Sequence, residues 1–259
     1  MIGVFPFGQE VKKVLQTDHT PKRVFVLGVY ASAVHARWIN SNGGLLVEAL
    51  AVSTEPYIFW RGEGADEIIN ATTIPQGLGR LEPAWAKFNG PSGIALDDLY
   101  LAPMGLGRED AWLCDLVPHS CFNPGQKCAI EREYVPVMQR YQLPEPSVPS
   151  KPKVLSDDIR RSEIMDEIRE SEAEVLVLLG DEPVKWFLHQ WSEQWQKLAD
   201  FGTTIKDYGI LHPVQLDGIT IKVLPLVHPR QSGRLGHYSP MWYKLHQEWL
   251  DSKNCSIFE

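Results

Sequence analysis

Short β-branched runs that stop at a turn residue, widely separated along the chain, most limit what this sequence can fold into. The first is Val24-Phe25-Val26-Leu27-Gly28-Val29-Tyr30, and the last, some two hundred residues on, is Val223-Leu224-Pro225-Leu226-Val227-His228-Pro229-Arg230. Between them, Trp112-Leu113-Cys114-Asp115-Leu116-Val117-Pro118-His119 has the same form and carries an acid. Four strands are expected, over residues 23–28, 111–117, 174–180 and 219–227. Their alternation with helical stretches predicts an α/β fold with a mostly parallel sheet and helices on both faces. Ligands of such sheets bind beyond the carboxyl ends of the strands, so these ends are candidates for one site.

A helix is expected over 156–171, with Ser156 as N-cap and Ile159, Ile164 and Ile168 recurring on one side. A second is expected over 183–199, and a last one from Ser239-Pro240, a cap followed by proline at the first helical position. Residues 143–152 hold four prolines and read as an extended crossover. At 259 residues and 44% hydrophobic content the chain can bury a sizeable core, and it is expected to be a single domain over 1–259. A long insertion is expected at about 55–107, rich in Gly, Pro and aromatics (Tyr57, Phe59, Trp60, Trp85, Phe88, Tyr100). It reads either as a lid or binding element or as a packed insertion with its own small core.

No apolar run approaches the ~20 residues that span a bilayer. The first residues lack a basic stretch followed by an apolar one, so a cytoplasmic protein with no membrane partner is expected. The net charge of −8 argues against broad polyanion binding but not against a local basic face. Lys12, Lys13, Lys22 and Arg23 cluster before the first strand, and Arg230, Arg234 and His237 follow the last. Cys114, Cys121 and Cys128 are spaced C-x6-C-x6-C, which matches neither zinc nor iron–sulfur spacing, so no metal cluster is expected. No GxGxxG follows the first strand, which disfavours a dinucleotide enzyme.

The motifs resemble those of the uracil-DNA glycosylase superfamily. Phe5-Pro6-Phe7 and then Val26-Leu27-Gly28-Val29-Tyr30-Ala31-Ser32 are similar to the approach and first motif of that family, of which Gly-Gln-Asp-Pro-Tyr-His is one form. Trp112–Asp115 resembles the strand that ends in the base-reading Asn. Val177-Leu178-Leu179-Gly180-Asp181 stands where the family has its Gly-Ser phosphate loop. His228-Pro229-Arg230-Gln231-Ser232 stands where it has its His-Pro-Ser minor-groove loop. The resemblance implies a three-layer α/β/α sandwich around a four-stranded mostly parallel sheet. It also implies a monomeric DNA glycosylase that needs no cofactor and flips a base out of double-stranded DNA.

Three departures bear on the substrate. Tyr30 stands where the family carries its water-activating acid, and tyrosine, titrating near ~10, is a poor base at neutral pH. His35, read as packed on a helix pattern with Val34 and Trp38, His119 and Asp115 itself are alternatives. Ser32 stands where a tyrosine walls off the 5-position of uracil, leaving room beside C5. Asp115 replaces the Asn; an ionised Asp only accepts, which fits the exocyclic amine of cytosine.

The expected activity is therefore excision of a 5-substituted cytosine, such as the hydroxymethylated or glucosylated base of phage DNA, in antiviral defence. The alternatives are removal of uracil or another deaminated base, or a nucleobase-binding member without catalysis. By this resemblance His228, Asp115 and Tyr30 are catalytic, and Gly28, Val29, Ser32, Asp115, Phe59 and Trp60 hold the base. Phe59 or Trp60 substitutes for a stacking aromatic whose place is taken by Val52. Gly180, Asp181, Arg230, Gln231, Ser232, Arg234 and Leu235 contact DNA, with Arg234 or Leu235 filling the gap left by the flipped nucleotide.

Overall fold

The computed structural model describes residues 1–229, 231–232 and 239–252. In chain order the strands are β1 (Val24–Tyr30), β2 (Ala33–Ile39), β3 (Leu45–Thr54), β4 (Arg80–Pro83), β5 (Ala111–Val117), β6 (Val175–Leu179), β7 (His212–Leu216) and β8 (Ile219–Leu226). The α-helices are α1 (Ala65–Asn70), α2 (Pro91–Leu96), α3 (Pro124–Ala129), α4 (Val135–Met138), α5 (Asp158–Ser171), α6 (Asp181–Trp186) and α7 (Pro240–Asp251). They fall into two compact units, each assembled from three separated segments. The antiparallel unit comprises Met1–Val14, Tyr30–Pro91 and Pro118–Lys153, and the α/β unit comprises Leu15–Val29, Ser92–Val117 and Val154 onward. Residues 55–107, expected as one insertion, are shared: 55–91 lie in the first unit and 92–107 in the second.

The α/β unit is built on a five-stranded sheet of order β5-β1-β6-β8-β7, flanked by helices as in a three-layer α/β/α sandwich. β1 pairs parallel with β6, and β6 with β8. All five residues of β6 and all seven of β5 are buried, as strands covered on both faces must be. The fifth strand corrects the expected four. β7 runs antiparallel to β8 across Asp217-Gly218, both at positive φ, the Asp-Gly hairpin turn that matches strand twist.

Two helices differ from expectation. α5 is capped by Asp157, whose side chain accepts the Arg160 amide at 2.9 Å, not by Ser156. Its buried side carries Ile164, Met165 and Ile168, and Ile159 is exposed. The helix expected over 183–199 ends at Trp186 and gives way to 3₁₀ turns at Leu188–Gln190 and Leu198–Phe201. There the Asp200 carboxylate takes the amides of Gln196 and Lys197, a local bond that competes with helix.

The antiparallel unit carries a sheet of order β3-β2-β4. The turn between β2 and β3 is closed by Asn40, whose side chain accepts the amides of Asn42 and Gly44. His35, read on a helix pattern, therefore lies in a strand. Phe7, Trp38 and Tyr134 meet edge to face in the core of this unit, with Trp60, Ile69 and Leu78 packed in the same cluster. Of the two readings of the 55–107 stretch, its first part is thus packed structure. No helix among the described residues is long and apolar enough to cross a membrane.

Candidate functional site

In the α/β unit the chain passes from β1 to β5 on one side and later to β6 and β8 on the other, which makes the gap between β1 and β6 the switch point of the sheet. Crevices at such points, beyond the carboxyl ends, are where open α/β sheets take ligands. Leu27 pairs with Leu178, and Leu178 with Pro225, so the ends at Gly28-Val29, Gly180 and Val227-His228 come out level.

Gly180 makes that edge possible. Its φ is +87°, its amide donates to the Leu226 carbonyl at 2.8 Å, and a Cβ in its place would lie 2.8 Å from the His228 Cβ. Only glycine allows the end of β6 to pass this close to His228. Asp181, next in sequence, is exposed, and its Oδ1 accepts the Leu198 amide at 2.8 Å.

The turn that presents His228 is fixed from both directions. On the far side, the His228 carbonyl accepts the amides of Gln231 and Ser232. The Ser232 hydroxyl donates to the Pro229 carbonyl at 2.9 Å, so the buried Ser232 closes the turn. On the near side, Tyr100 donates to the Val227 carbonyl at 2.6 Å, and the Val227 amide donates to the Tyr208 hydroxyl at 3.0 Å. Tyr208 in turn bonds His246 Nδ1 at 2.7 Å, and His246 Nε2 bonds the Leu99 carbonyl at 3.1 Å.

The direction of this chain is determined by its ends. An amide can only donate and a carbonyl only accept, so Tyr208 donates to an unprotonated Nδ1 and His246 carries its proton on Nε2. Burial holds His246 neutral, its pKa lowered to about 4, and raises both tyrosines. Leu99 and Tyr100 lie in a π-helical turn, Asp97–Leu101, that continues α2. Sequence reading missed Leu99, Tyr208 and His246 of this network. Tyr100 was visible only as one aromatic of the long excursion.

Asp115 stands on β5, at the sheet edge beside β1, and is 4% exposed. The neighbouring backbone is clamped from α5: Arg160 donates to the Asp115 carbonyl at 2.8 Å, the Leu116 carbonyl at 3.3 Å and the Cys114 sulfur at 3.1 Å. Arg160 is held by Glu163 and Glu167, and Glu167 also accepts the Trp112 indole N–H. Strand side chains alternate, so Cys114 turns toward Arg160 and Asp115 points to the opposite face.

Among the described residues no hydrogen-bond donor reaches the Asp115 carboxyl. Burial raises its pKa to about 7, opposed by Arg160 and reinforced by Glu167. Against the expected ionised acceptor, burial favours the neutral form of this group, which both donates and accepts. Between Asp115 and His228 lie β1 and β6, three strand spacings or about 14 Å of backbone separation.

The remaining site residues lie in the antiparallel unit or outside the described residues. Tyr30 ends β1 and is half-buried. The Ser32 amide donates to Glu55 Oε1 at 2.9 Å, and the Ser120 hydroxyl donates to the Ser32 carbonyl. Glu55 is a buried carboxylate that sequence reading passed over. Its signal was an acid ending the β-branched strand Ala51-Val52-Ser53-Thr54, the same form that drew attention to Asp115.

Trp60 is 1% exposed and donates its indole N–H to the Glu63 carbonyl, so both faces are spent on packing; its expected role as a stacking surface is corrected to a core role. Phe59, also buried, takes a positive φ of 53°. Val52 is buried on β3, and His35 is buried with its pKa lowered to about 4. His119 bonds the Ser120 carbonyl. Arg230, Arg234, Leu235 and His237, and Cys255 near the end of the chain, lie outside the described residues. Among the described residues no group of three or more His, Cys, Asp or Glu side chains is placed to hold a metal ion.

No protein-family model matches this chain, and no curated protein matches it.

Proposed function

We propose that the protein is a DNA glycosylase that receives a flipped cytosine derivative and hydrolyses its N-glycosidic bond, leaving an abasic site. The observation that supports this reading is the buried Asp115 carboxyl, poised near pH 7 to one side of the sheet's switch point, with the rigid His228 turn on the other. The two backbones are separated laterally by three strand spacings, about 14 Å, which leaves room for a base between the two groups. A neutral carboxyl suits cytosine at both positions of its edge, donating to N3 and accepting from the exocyclic amine. The ionised form keeps only the second bond.

Cleavage builds oxocarbenium character on the sugar and negative charge on the departing base. His228 donates to the base O2 and stabilises that charge, a contribution typically worth about 3 kcal/mol. A proton passed from Asp115 to N3 makes the base a better leaving group. Tolerance of a C5 substituent rests on the sequence alone, on Ser32 where the resembled family has tyrosine.

The test is incubation with duplex oligonucleotides containing cytosine, 5-hydroxymethylcytosine, glucosylated cytosine or uracil, then mass spectrometry for free base and a cleavage assay for abasic sites. His228→Ala is expected to lower excision by about 10²–10³-fold. Asp115→Asn is expected to move preference from cytosine toward uracil. Release of no base by the wild-type protein, or unchanged activity in both variants, counts against the proposal. Tyr30 at the position of the missing acid favours a second reading, a nucleobase-binding protein without catalysis. Tight binding of modified DNA with no release distinguishes it.

A further inference from the structure

A second concave site opens on α6 and the turns that follow it. The cavity, about 410 Å³, is lined by Lys185, Trp186, His189, Gln190, Gln196 and Lys197. That size falls within the range of small-molecule sites. The chain has 33 acidic residues against 25 basic ones, yet the lining holds two lysines and no carboxylate.

Glu193, in the turn between Gln190 and Gln196, is exposed and outside the lining, and three other acids nearby are engaged elsewhere. Asp181 accepts the Leu198 amide, Glu182 the Trp186 indole N–H, and Asp200 the amides of Gln196 and Lys197. Among the described residues neither lysine ammonium is in an ion pair; Lys185 stands 4.8 Å from the ring centre of Trp186. His189 Nδ1 bonds the Trp195 carbonyl at 3.1 Å, which fixes its proton there and leaves Nε2 an acceptor in the neutral ring. The lining thus offers two cations for an anion, an aromatic platform, and two amides with an imidazole to read polar edges. That is the chemistry of a nucleotide.

We propose that this cavity binds a phosphate-bearing nucleotide of the DNA strand leading away from the base site, with the phosphate between Lys185 and Lys197 and the base against Trp186. The inference rests on the glycosylase reading for the identity of the strand. Helical rise puts Lys185 about 7–8 Å beyond Gly180, or about two base steps along a strand. The cavity then holds the strand in register while one nucleotide is everted.

The experiment measures binding of fluorescently labelled single-stranded oligonucleotides by anisotropy, with salt raised from about 50 to 200 mM, for the wild-type protein and for Lys185→Gln/Lys197→Gln. Both lysines are exposed, so the variant is expected to fold, which circular dichroism verifies. Removing two phosphate contacts is expected to weaken binding about tenfold and to lower the slope of log affinity against log salt by about 1.4. Trp186→Ala is expected to weaken binding about tenfold with the slope unchanged, the signature of lost stacking.

Unchanged affinity and slope in all variants overturns the proposal. So does saturable binding of deoxycytidine monophosphate that oligonucleotides do not displace, which would make this a free-nucleotide site. Competition by inorganic phosphate at the same concentration as the mononucleotide overturns the role of Trp186. The excision assay separates the two readings. Excision with unaltered salt slopes removes this site alone, whereas altered slopes without any excision remove the glycosylase reading and leave a nucleic-acid groove.

Discussion

Replacing Asp115 by Asn should stabilise the protein, and by an amount that depends on pH. Burial raises the carboxyl from its ordinary 3.8 to about 7. A group whose folded pKa is raised contributes stability below its unfolded pKa, and that contribution is lost as pH rises through the folded value. At ~1.4 kcal/mol per pH unit the full penalty of ionising Asp115 in place is about 4 kcal/mol, reached above pH ~8. At pH ~5 it is about 2 kcal/mol, and below pH ~4 it vanishes.

Asn is neutral throughout, so its advantage over Asp should grow by about 3 kcal/mol between pH ~5 and ~9. Any constant cost of burying an amide cancels in that difference. The assay is urea denaturation of both proteins across this range. A stability difference that does not change with pH would refute the burial argument and with it the neutral acid on which the proposed cytosine recognition rests. If the proposed glycosylase activity holds, the same titration predicts that excision of cytosine derivatives declines as pH rises through about 7, because the donor to N3 is lost.

Three further outcomes follow from the turn at His228. Gly180→Ala puts a methyl 2.8 Å from the His228 Cβ at a φ of +87° and must displace the histidine; excision should fall by about 10²-fold, a loss typical of a 1 Å misplacement, while circular dichroism is retained. Tyr208→Phe leaves the buried Val227 amide without its acceptor and should destabilise by about 1–3 kcal/mol in denaturant, with faster hydrogen exchange at Val227. His246, whose folded pKa is depressed to about 4, stabilises fully above pH ~6.5 and loses about 3 kcal/mol as pH falls to ~4; His246→Gln should remove that share of the acid sensitivity, and an unchanged acid limb would refute it.

Four of the five strands of the α/β unit were legible because a run buried on both faces must be apolar throughout, and turn residues mark its end. β7 was missed although Asp217-Gly218 is a strong hairpin signal, because Val214 and Leu216 alone face the core between polar residues. The hairpin of β2 and β3 was hidden by Val34, His35 and Trp38, whose spacing suits a helix as well as a strand. Asp115 could be singled out as an acid in an apolar run, but its protonation state could not, since that depends on how completely β5 is covered. Tyr100, Tyr208 and His246 are brought to Val227 from three distant segments, and nothing in their local sequence signals it.

The interleaving of the two units has a consequence for the chain as it is made. Synthesis delivers β1 early, but its sheet neighbours are residues 111–117 and 175–179, and β8 comes later still. The antiparallel unit, complete at Lys153, can close while β1 still waits for β6. A nascent chain of this protein therefore spends a long interval with one edge of the apolar strand β1 unmatched, and it is there that a holding chaperone would find its grip.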